Sequence, residues 1–244
     1  MGRVIALASG KGGVGKTLLC ACIGQALARD GSRVLLIDAS ATTRCLDLLL
    51  GVERQILFDL GDALTGRCRP SQTIQQIDSS LALIAAPLRE EIYRREDLHR
   101  FFHLCARDAD YVLIDCSPGM GGYVQNILSS ADLAAVVVTP EPSSVRIAAS
   151  LSLALAQTDD FPERGMIVNR LTPTSQKGAY SIDALIDRVK LPCIGAVPWD
   201  LRFFREIQEA SLPKAGPIPA ACGRIAARLS GRQISLPKGH ALFG

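Results

Sequence analysis

The sequence predicts an α/β fold in which a mainly parallel, twisted sheet carries helices on both faces. Two observations predict it. Short, continuous apolar runs of the kind found in buried parallel strands recur along the chain. Segments with a helical pattern, about ten or more residues long, lie between them. Because no repeat, low-complexity stretch or linker divides the 244 residues, we expect one domain over 1–232 and a short basic and apolar tail over 233–244.

The elements follow in order from local signals. The run VIALA predicts the first strand, and the next segment, rich in helix formers, ends at the stop signal Asp30-Gly31. Ser143 and Ser144 are suitable caps for the start of a later helix. The predicted strands are 4–8, 33–37, 81–85, 111–114, 134–139, 165–168 and 193–197. The predicted helices are 18–29, 90–107, 121–130, 143–157, 181–189 and 220–229.

The stretch GKGGVGKT joins the first strand to the first helix and fits the phosphate-loop pattern G-x-x-x-x-G-K-[ST] without a gap. Its four glycines allow the backbone amides to point at phosphate oxygens. Lys16 is placed to neutralise the β- and γ-phosphates, and Thr17 to ligate Mg²⁺. A glycine-rich turn that binds nothing would have to match these spaced positions and both flanks by chance. The expected nucleotide-binding residues here are Gly10, Lys11, Gly12, Gly13, Val14, Gly15, Lys16, Thr17 and Leu18.

Composition excludes several other classes. The formal net charge of +3 is too small to indicate nucleic-acid binding, and no apolar run reaches eighteen residues. The N-terminus lacks the pattern of a signal peptide, so we expect a cytoplasmic protein. The eight cysteines contain no C-x-x-C, which favours reduced core residues over a metal site.

Lys11 is a second lysine in the loop, five residues before Lys16. A loop that holds its own triphosphate with Lys16 does not need it. Two interpretations remain open from the residues: an exposed side chain, or contact with a phosphate from outside. The second is awkward within one chain and is easier if a partner subunit supplies the phosphate.

The segment KGGVGKT resembles the deviant phosphate loop of the MinD/ParA group of P-loop ATPases. The resemblance implies a single-domain P-loop NTPase that binds ATP or ADP with Mg²⁺. It also implies that ATP is sandwiched between two subunits of a homodimer, with Lys11 contacting the ATP of the opposite subunit in the manner of an arginine finger.

The resemblance continues along the chain. VLLIDAS followed by CLDLLLG is similar to the first switch of the family, and YVLIDCSPG to its Walker B strand. This implies that Thr17, Asp38 and Asp115 surround Mg²⁺. VVVTPEPSSVRIA closely resembles the segment after the next strand. MIVNR and IGAVPWD resemble the segments near the adenine, which implies that Asn169, Arg170, Pro198 and Asp200 contact the base.

Three residues depart from the family pattern: Ser40, Leu18 and Ser117, the last of which stands where proline is frequent. Ser40 stands where the family usually has the aspartate credited with positioning the attacking water, and serine is a poor proton acceptor. We therefore expect slow or partner-dependent hydrolysis. Thr42, Thr43 and Asp47 are candidates to compensate. Leu18 replaces a second threonine and should leave the Mg²⁺ role of its neighbour intact. By resemblance, the residues expected to act in hydrolysis are Lys11, Lys16, Asp38 and Ser40.

The family context implies a MinD-like role in placing the division site, with a protein regulator recruited by the dimer. Alternatives on the same fold are a flagellar-number regulator of the FlhG type and a partition ATPase of the ParA type. Alternatives of other classes are a metallocentre-assembly ATPase, loading iron–sulfur clusters or nickel, and an ATP-binding scaffold that does not hydrolyse. DNA binding is not expected despite the C-terminal arginines.

The tail has some apolar residues beside basic ones, but proline and glycine interrupt it. We expect at most a weak contact with an anionic membrane, reinforced by avidity in a dimer. The protein would then be cytoplasmic and, in part, peripheral at the inner face of the cell membrane. The residues concerned are Arg232, Ile234, Leu236, Pro237, Lys238, Gly239, Leu242 and Phe243.

Overall fold

The computed structural model describes residues 1–41, 43–88, 93–157, 163–175, 178–207 and 212–236. Within these ranges eight strands form one sheet in the order β3-β4-β2-β5-β1-β6-β7-β8. Adjacent strands are parallel except for β3 and β4. In chain order the strands are β1 (Arg3–Ala8), β2 (Val34–Ala39), β3 (Ile74–Gln76), β4 (Leu81–Ile84), β5 (Tyr111–Cys116), β6 (Leu133–Val138), β7 (Glu163–Leu171) and β8 (Cys193–Pro198).

Helices cover both faces of this sheet, as the sequence predicted. One face carries a core cluster that includes Ile5, Leu7 and residues of the first and last helices. The other face carries a cluster around Val4, Ala6 and the helices of the central part of the chain. The helices are α1 (Lys16–Arg29), α2 (Leu46–Leu49), α3 (Leu60–Leu64), α4 (Arg95–Cys105), α5 (Gly122–Leu128), α6 (Pro142–Ala156), α7 (Ile182–Val189), α8 (Leu201–Ile207) and α9 (Pro217–Leu229).

The predicted elements agree with the structure to within three residues at each end, with one exception. The helix predicted over 90–107 begins only at Arg95, because Arg94 is extended with φ −70° and ψ 148°. Residues 90–92 of that prediction lie outside the described residues. Strand β3 and the short helices α2, α3 and α8 were not predicted. No helix in the described ranges is both long and apolar enough to cross a bilayer.

Strand order determines where a ligand site can form. β1 lies between β5 and β6, and the chain leaves its carboxyl end into the glycine loop and then α1. β2 and β5 lie side by side, with Asp38 and Asp115 opposite each other in register at the same edge. In open parallel sheets, ligands bind in the crevice outside these carboxyl ends.

Past α9, the chain is held against the body of the protein. The Arg228 guanidinium donates hydrogen bonds to the main-chain oxygens of Ile194 (3.1 Å), Ile234 (2.8 Å) and Ser235 (2.7 Å). Arg232 also pairs with Asp30 at the end of α1. The start of the predicted tail is therefore tied down, while its residues 237–244 lie outside the described part of the chain.

Candidate nucleotide site

The glycine loop between β1 and α1 has the geometry of an anion cradle. Gly13 and Gly15 lie in the left-handed region, with φ of 74° and 93°, which residues with a Cβ rarely adopt. Among the described residues, no side chain caps the start of α1 at Gly15. The amides of the first helical turn, with the positive end of the helix dipole, are thus directed at the loop.

Lys16 lies inside this loop. Its side chain is buried, and Nζ donates a hydrogen bond to Ser9 Oγ at 2.9 Å. Burial lowers the pKa of Lys16, and the nearby charge of Asp115 opposes that shift. A bound phosphate would supply the negative charge that a buried ammonium group favours.

Lys11 points in a different direction. Its Nζ lies 2.6 Å from Glu141 Oε2 and 3.2 Å from Ser143 Oγ, at the start of α6. The side chain is 38% exposed. The hydrogen bond and charge of Lys11 lower the pKa of Glu141. The side chain of Lys16 therefore lies within the loop, whereas that of Lys11 lies at its outer rim.

Two carboxylates lie beside the loop. Asp38 accepts backbone hydrogen bonds from Ser40 at 2.9 Å and from Cys45 and Leu46 at 3.1 Å each. Asp115 Oδ2 accepts the Thr17 hydroxyl at 2.5 Å. Burial raises the pKa of Asp38 to about 6. Burial, and then the charge of Asp38, raise that of Asp115 to about 7.

These groups fit Mg²⁺. Asp115 Oδ1 is buried and has no hydrogen-bond partner within the described residues, which leaves one carboxylate oxygen to be satisfied. Together with the Thr17 hydroxyl it offers the oxygen ligands that Mg²⁺ prefers. The oxygens of Asp38 already accept three amides, so this carboxylate suits the outer shell of the ion rather than direct ligation.

Ser40 lines the cavity above these carboxylates. Its hydroxyl is 2.7 Å from Thr43 Oγ1, so the two side chains share a hydrogen bond. Asp47 instead accepts Arg44 Nε at 2.9 Å and the amide of Leu48, and is buried. Of the two candidates in the described part of the chain, Thr43 is hydrogen-bonded to Ser40. Thr42 lies outside the described residues.

The loop opens into a cavity of about 600 Å³, a size typical of small-ligand sites. Arg170, Leu18 and Cys116 contribute to its wall, and Ile207 reaches it from α8. The described residues that line it are Gly12, Gly13, Gly15, Lys16, Thr17, Leu18, Ser40, Thr43, Cys45, Leu48, Leu49, Cys116, Pro118, Arg170 and Ile207.

The residues expected near the base differ in their positions and contacts. Asn169 Nδ2 donates to the Val14 oxygen at 2.7 Å and so braces the loop. Arg170 lines the cavity, and its guanidinium lies 5.4 Å from the Trp199 ring centroid. Pro198 ends β8 and is buried. Asp200 accepts the Arg202 amide at 2.9 Å, at the start of α8.

Comparison with known proteins identifies the family. A protein-family model described as an AAA domain matches residues 2–160 of this chain. The septum site-determining protein MinD of Synechocystis is 34% identical, over 96% of this chain and 91% of that protein. The chain belongs to the MinD/ParA family of P-loop ATPases. MinD of Bacillus subtilis is 35% identical over 82% of this chain and 77% of its own length.

Solved structures agree with this family assignment. The chain superposes on a chain from the structure of the MinC:MinD cell division complex of Aquifex aeolicus, with a TM-score of 0.88 and 33% identity, covering 97% of this chain and 99% of the other. MinD of Pyrococcus horikoshii, complexed with Mg-ADP, has a TM-score of 0.81, with 94% and 96% coverage. At 23% identity, the latter shows the shared fold alone. The MinD/ParA fold is thus present over nearly the whole chain.

Several site residues were not found by sequence reasoning. Glu141, the partner of Lys11, lies 130 residues away in the chain. Its position before a predicted helix cap was the one feature of the sequence that indicated it. Leu48 and Ile207 reach the cavity through short helices that periodicity does not detect. Ser9 was also missed, although a hydroxyl residue directly after a buried strand and before the first loop glycine is a usable signal.

Proposed function

We propose that this chain is a Mg²⁺-dependent ATPase that switches between a monomer and an ATP-sandwiched homodimer and acts, like MinD, in placing the division site. The observation that carries the proposal is the different surroundings of the two loop lysines. Lys16 is buried inside the loop, whereas Lys11 is held at the outer rim by Glu141 and Ser143. A cation at the rim is accessible to the phosphates of a second subunit.

In the proposed site each group has one task. The loop amides and Lys16 bind and orient the phosphates. Mg²⁺, held by Thr17 and Asp115, would neutralise the phosphate charge. We expect Ser40, with Thr43, to orient a water molecule, although serine is a poor acceptor for its proton. General-base assistance is typically worth a factor of about 10²–10⁴, so we expect slow hydrolysis unless a partner supplies the missing group.

The partners follow from the relatives. One solved relative is a complex of MinC with MinD, and we infer that a protein regulator binds the dimer of this chain too. We also propose a weak contact between the tail and anionic lipid at the inner face of the cell membrane. Arg228 supports this by fixing where the tail begins. Two tails on one dimer would bind more firmly than one.

The decisive experiment measures molecular mass in solution with ADP, with ATP and with a slowly hydrolysed ATP analogue. We expect a dimer with the two triphosphates and a monomer for Lys11→Ala under all conditions. Lys214→Ala, which removes an exposed lysine from the segment before α9, is the matched control and should dimerise normally. A wild-type mass that ignores the nucleotide would rule out the switch.

Phosphate release measured on the same samples tests the role of Ser40. Ser40→Asp restores the carboxylate usual in the family and should accelerate release at least tenfold. Ser40→Asn has the same size without the charge and should not accelerate it. Equal rates for both variants would show that the missing carboxylate does not limit hydrolysis. Sedimentation with anionic vesicles, with and without ATP, tests the tail.

A further inference from the structure

Ser9 lies at the point where β1 enters the glycine loop and is 1% exposed. In the described part of the chain its hydroxyl makes two hydrogen bonds. It accepts a hydrogen bond from Lys16 Nζ at 2.9 Å and donates one to the main-chain oxygen of Lys11 at 2.7 Å. One buried oxygen therefore touches the side chain of one loop lysine and the backbone of the other.

The main chain of Ser9 is itself fixed. Its carbonyl oxygen accepts the Gly119 amide, in the segment after β5, at 2.8 Å. Strand β1 lies between two parallel neighbours, which fixes the chain on the other side. A hydroxyl on so rigid a support has little freedom, so the groups bonded to it are held in a defined position.

The contact with Lys16 has a physical consequence for binding. A lysine side chain has four rotatable bonds and loses rotamer entropy when it is ordered. The Ser9 hydroxyl orders Lys16 before any ligand arrives. Because an ammonium group has three donors, the bond to Ser9 leaves two available for phosphate oxygens.

The contact with Lys11 acts through the backbone. It holds the Lys11 carbonyl, while the side chain of the same residue extends toward Glu141 at the outer rim. The same hydroxyl thus contacts the side chain of the inner lysine and the backbone of the outer one.

We propose that Ser9 is a positioning residue that orders both lysines of the loop, Lys16 for the phosphates of its own nucleotide and Lys11 for those of a second subunit. The part that concerns Lys11 rests on the proposed dimer switch. The part that concerns Lys16 requires only nucleotide binding.

The first test is ADP affinity, measured by calorimetry on the full chain with Mg²⁺. Ser9→Ala should raise the Kd about tenfold, the effect of one lost hydrogen bond to a charged group. Ser9→Thr keeps the hydroxyl and should restore most of the affinity. Ser130→Ala removes an equally buried hydroxyl outside the site and should have no effect.

A double-mutant cycle separates positioning from a general structural role. If Ser9 acts through Lys16, Ser9→Ala adds no further loss of ADP affinity to Lys16→Ala. A tenfold loss in both backgrounds, or an affinity within twofold of wild type for Ser9→Ala alone, overturns the proposal for Lys16. Thermal unfolding of Ser9→Ala verifies that the variant is folded.

The part of the proposal that concerns Lys11 is tested by measuring molecular mass in solution at a saturating concentration of the ATP analogue. Ser9→Ala should weaken the dimer in a wild-type background and have no added effect on Lys11→Ala. An unchanged dimer for Ser9→Ala overturns the part that concerns Lys11. If the wild-type chain does not dimerise at all, the proposed switch fails, and the ADP arm still decides the role of Ser9 toward Lys16.

Discussion

Replacing Asp115 by asparagine should stabilise the nucleotide-free, Mg²⁺-free protein at neutral and alkaline pH. Burial, and then the adjacent charge of Asp38, raise the pKa of this carboxyl from 3.8 to about 7. The folded protein consequently retains a proton that the unfolded chain releases. The unfolding free energy therefore falls as the pH rises from about 4 to 7 and stays low above that.

The magnitude follows from the two pKa values. With a folded pKa of about 7, the carboxyl reduces the unfolding free energy by about 1.5 kcal/mol at pH 5 and about 4 kcal/mol at pH 8. The difference, about 2–3 kcal/mol, is the part that pH controls. Asparagine carries no charge and can still accept the hydrogen bond from Thr17. Asp38, whose pKa is about 6, contributes in the same direction in both proteins.

The assay is urea unfolding at pH 5, 6, 7 and 8 with EDTA present and nucleotide removed. The wild-type protein should lose about 2–3 kcal/mol more than Asp115→Asn between the lowest and highest pH. Asp108→Asn, at an exposed position, should follow the wild-type curve. Parallel curves for the wild type and Asp115→Asn would refute the reasoning, since they would mean that this carboxyl titrates normally in the folded state.

Three further changes have defined outcomes. Glu141→Gln removes the competing intrachain partner of the rim lysine and should tighten the ATP-dependent dimer about two- to fivefold at low salt, seen by sedimentation. Gly15→Ala places a Cβ 2.5 Å from Asn169 Nδ2 at a φ of 93°. It should lower the free energy of unfolding, measured with urea, by about 2–4 kcal/mol. Gly66→Ala, where no described atom lies within 4 Å of the new Cβ, should lower it by about 1–2 kcal/mol. Arg228→Ala should increase hydrogen exchange in the segment just past α9, with no effect on exchange in β1.

Most of the fold could be predicted from the sequence, because buried parallel strands are continuous apolar runs. Strand β3 escaped prediction for a physical reason. It has three residues, forms the antiparallel edge of the sheet and is largely exposed, so its sequence, Ile74–Gln76, carries no apolar run. Helix α2 has four residues and is likewise too short for a periodic pattern.

The sequence predicts each residue of the phosphate loop, because the chemistry of the loop depends on consecutive positions. The partner of Lys11 could not be predicted, because Glu141 approaches it only after β6 has paired with β1. The contact between the Asn169 amide and the oxygen of Val14 was also beyond sequence reasoning. The contact of this side chain with the base, which the resemblance implies, stays a prediction. Such choices depend on side-chain direction, which tertiary packing determines.

The ion pair between Lys11 and Glu141 is half-exposed, so its strength depends on the ion concentration of the surrounding solution. Salt weakens exposed charge pairs far more than buried ones, since the screening length is about 8 Å at physiological ionic strength. Under the proposed switch, Lys11 exchanges an exposed partner for one enclosed between two subunits. A cell that loses water concentrates its ions, and this would loosen the monomer's contact more than the dimer's. Osmotic stress would then favour assembly without any change in ATP.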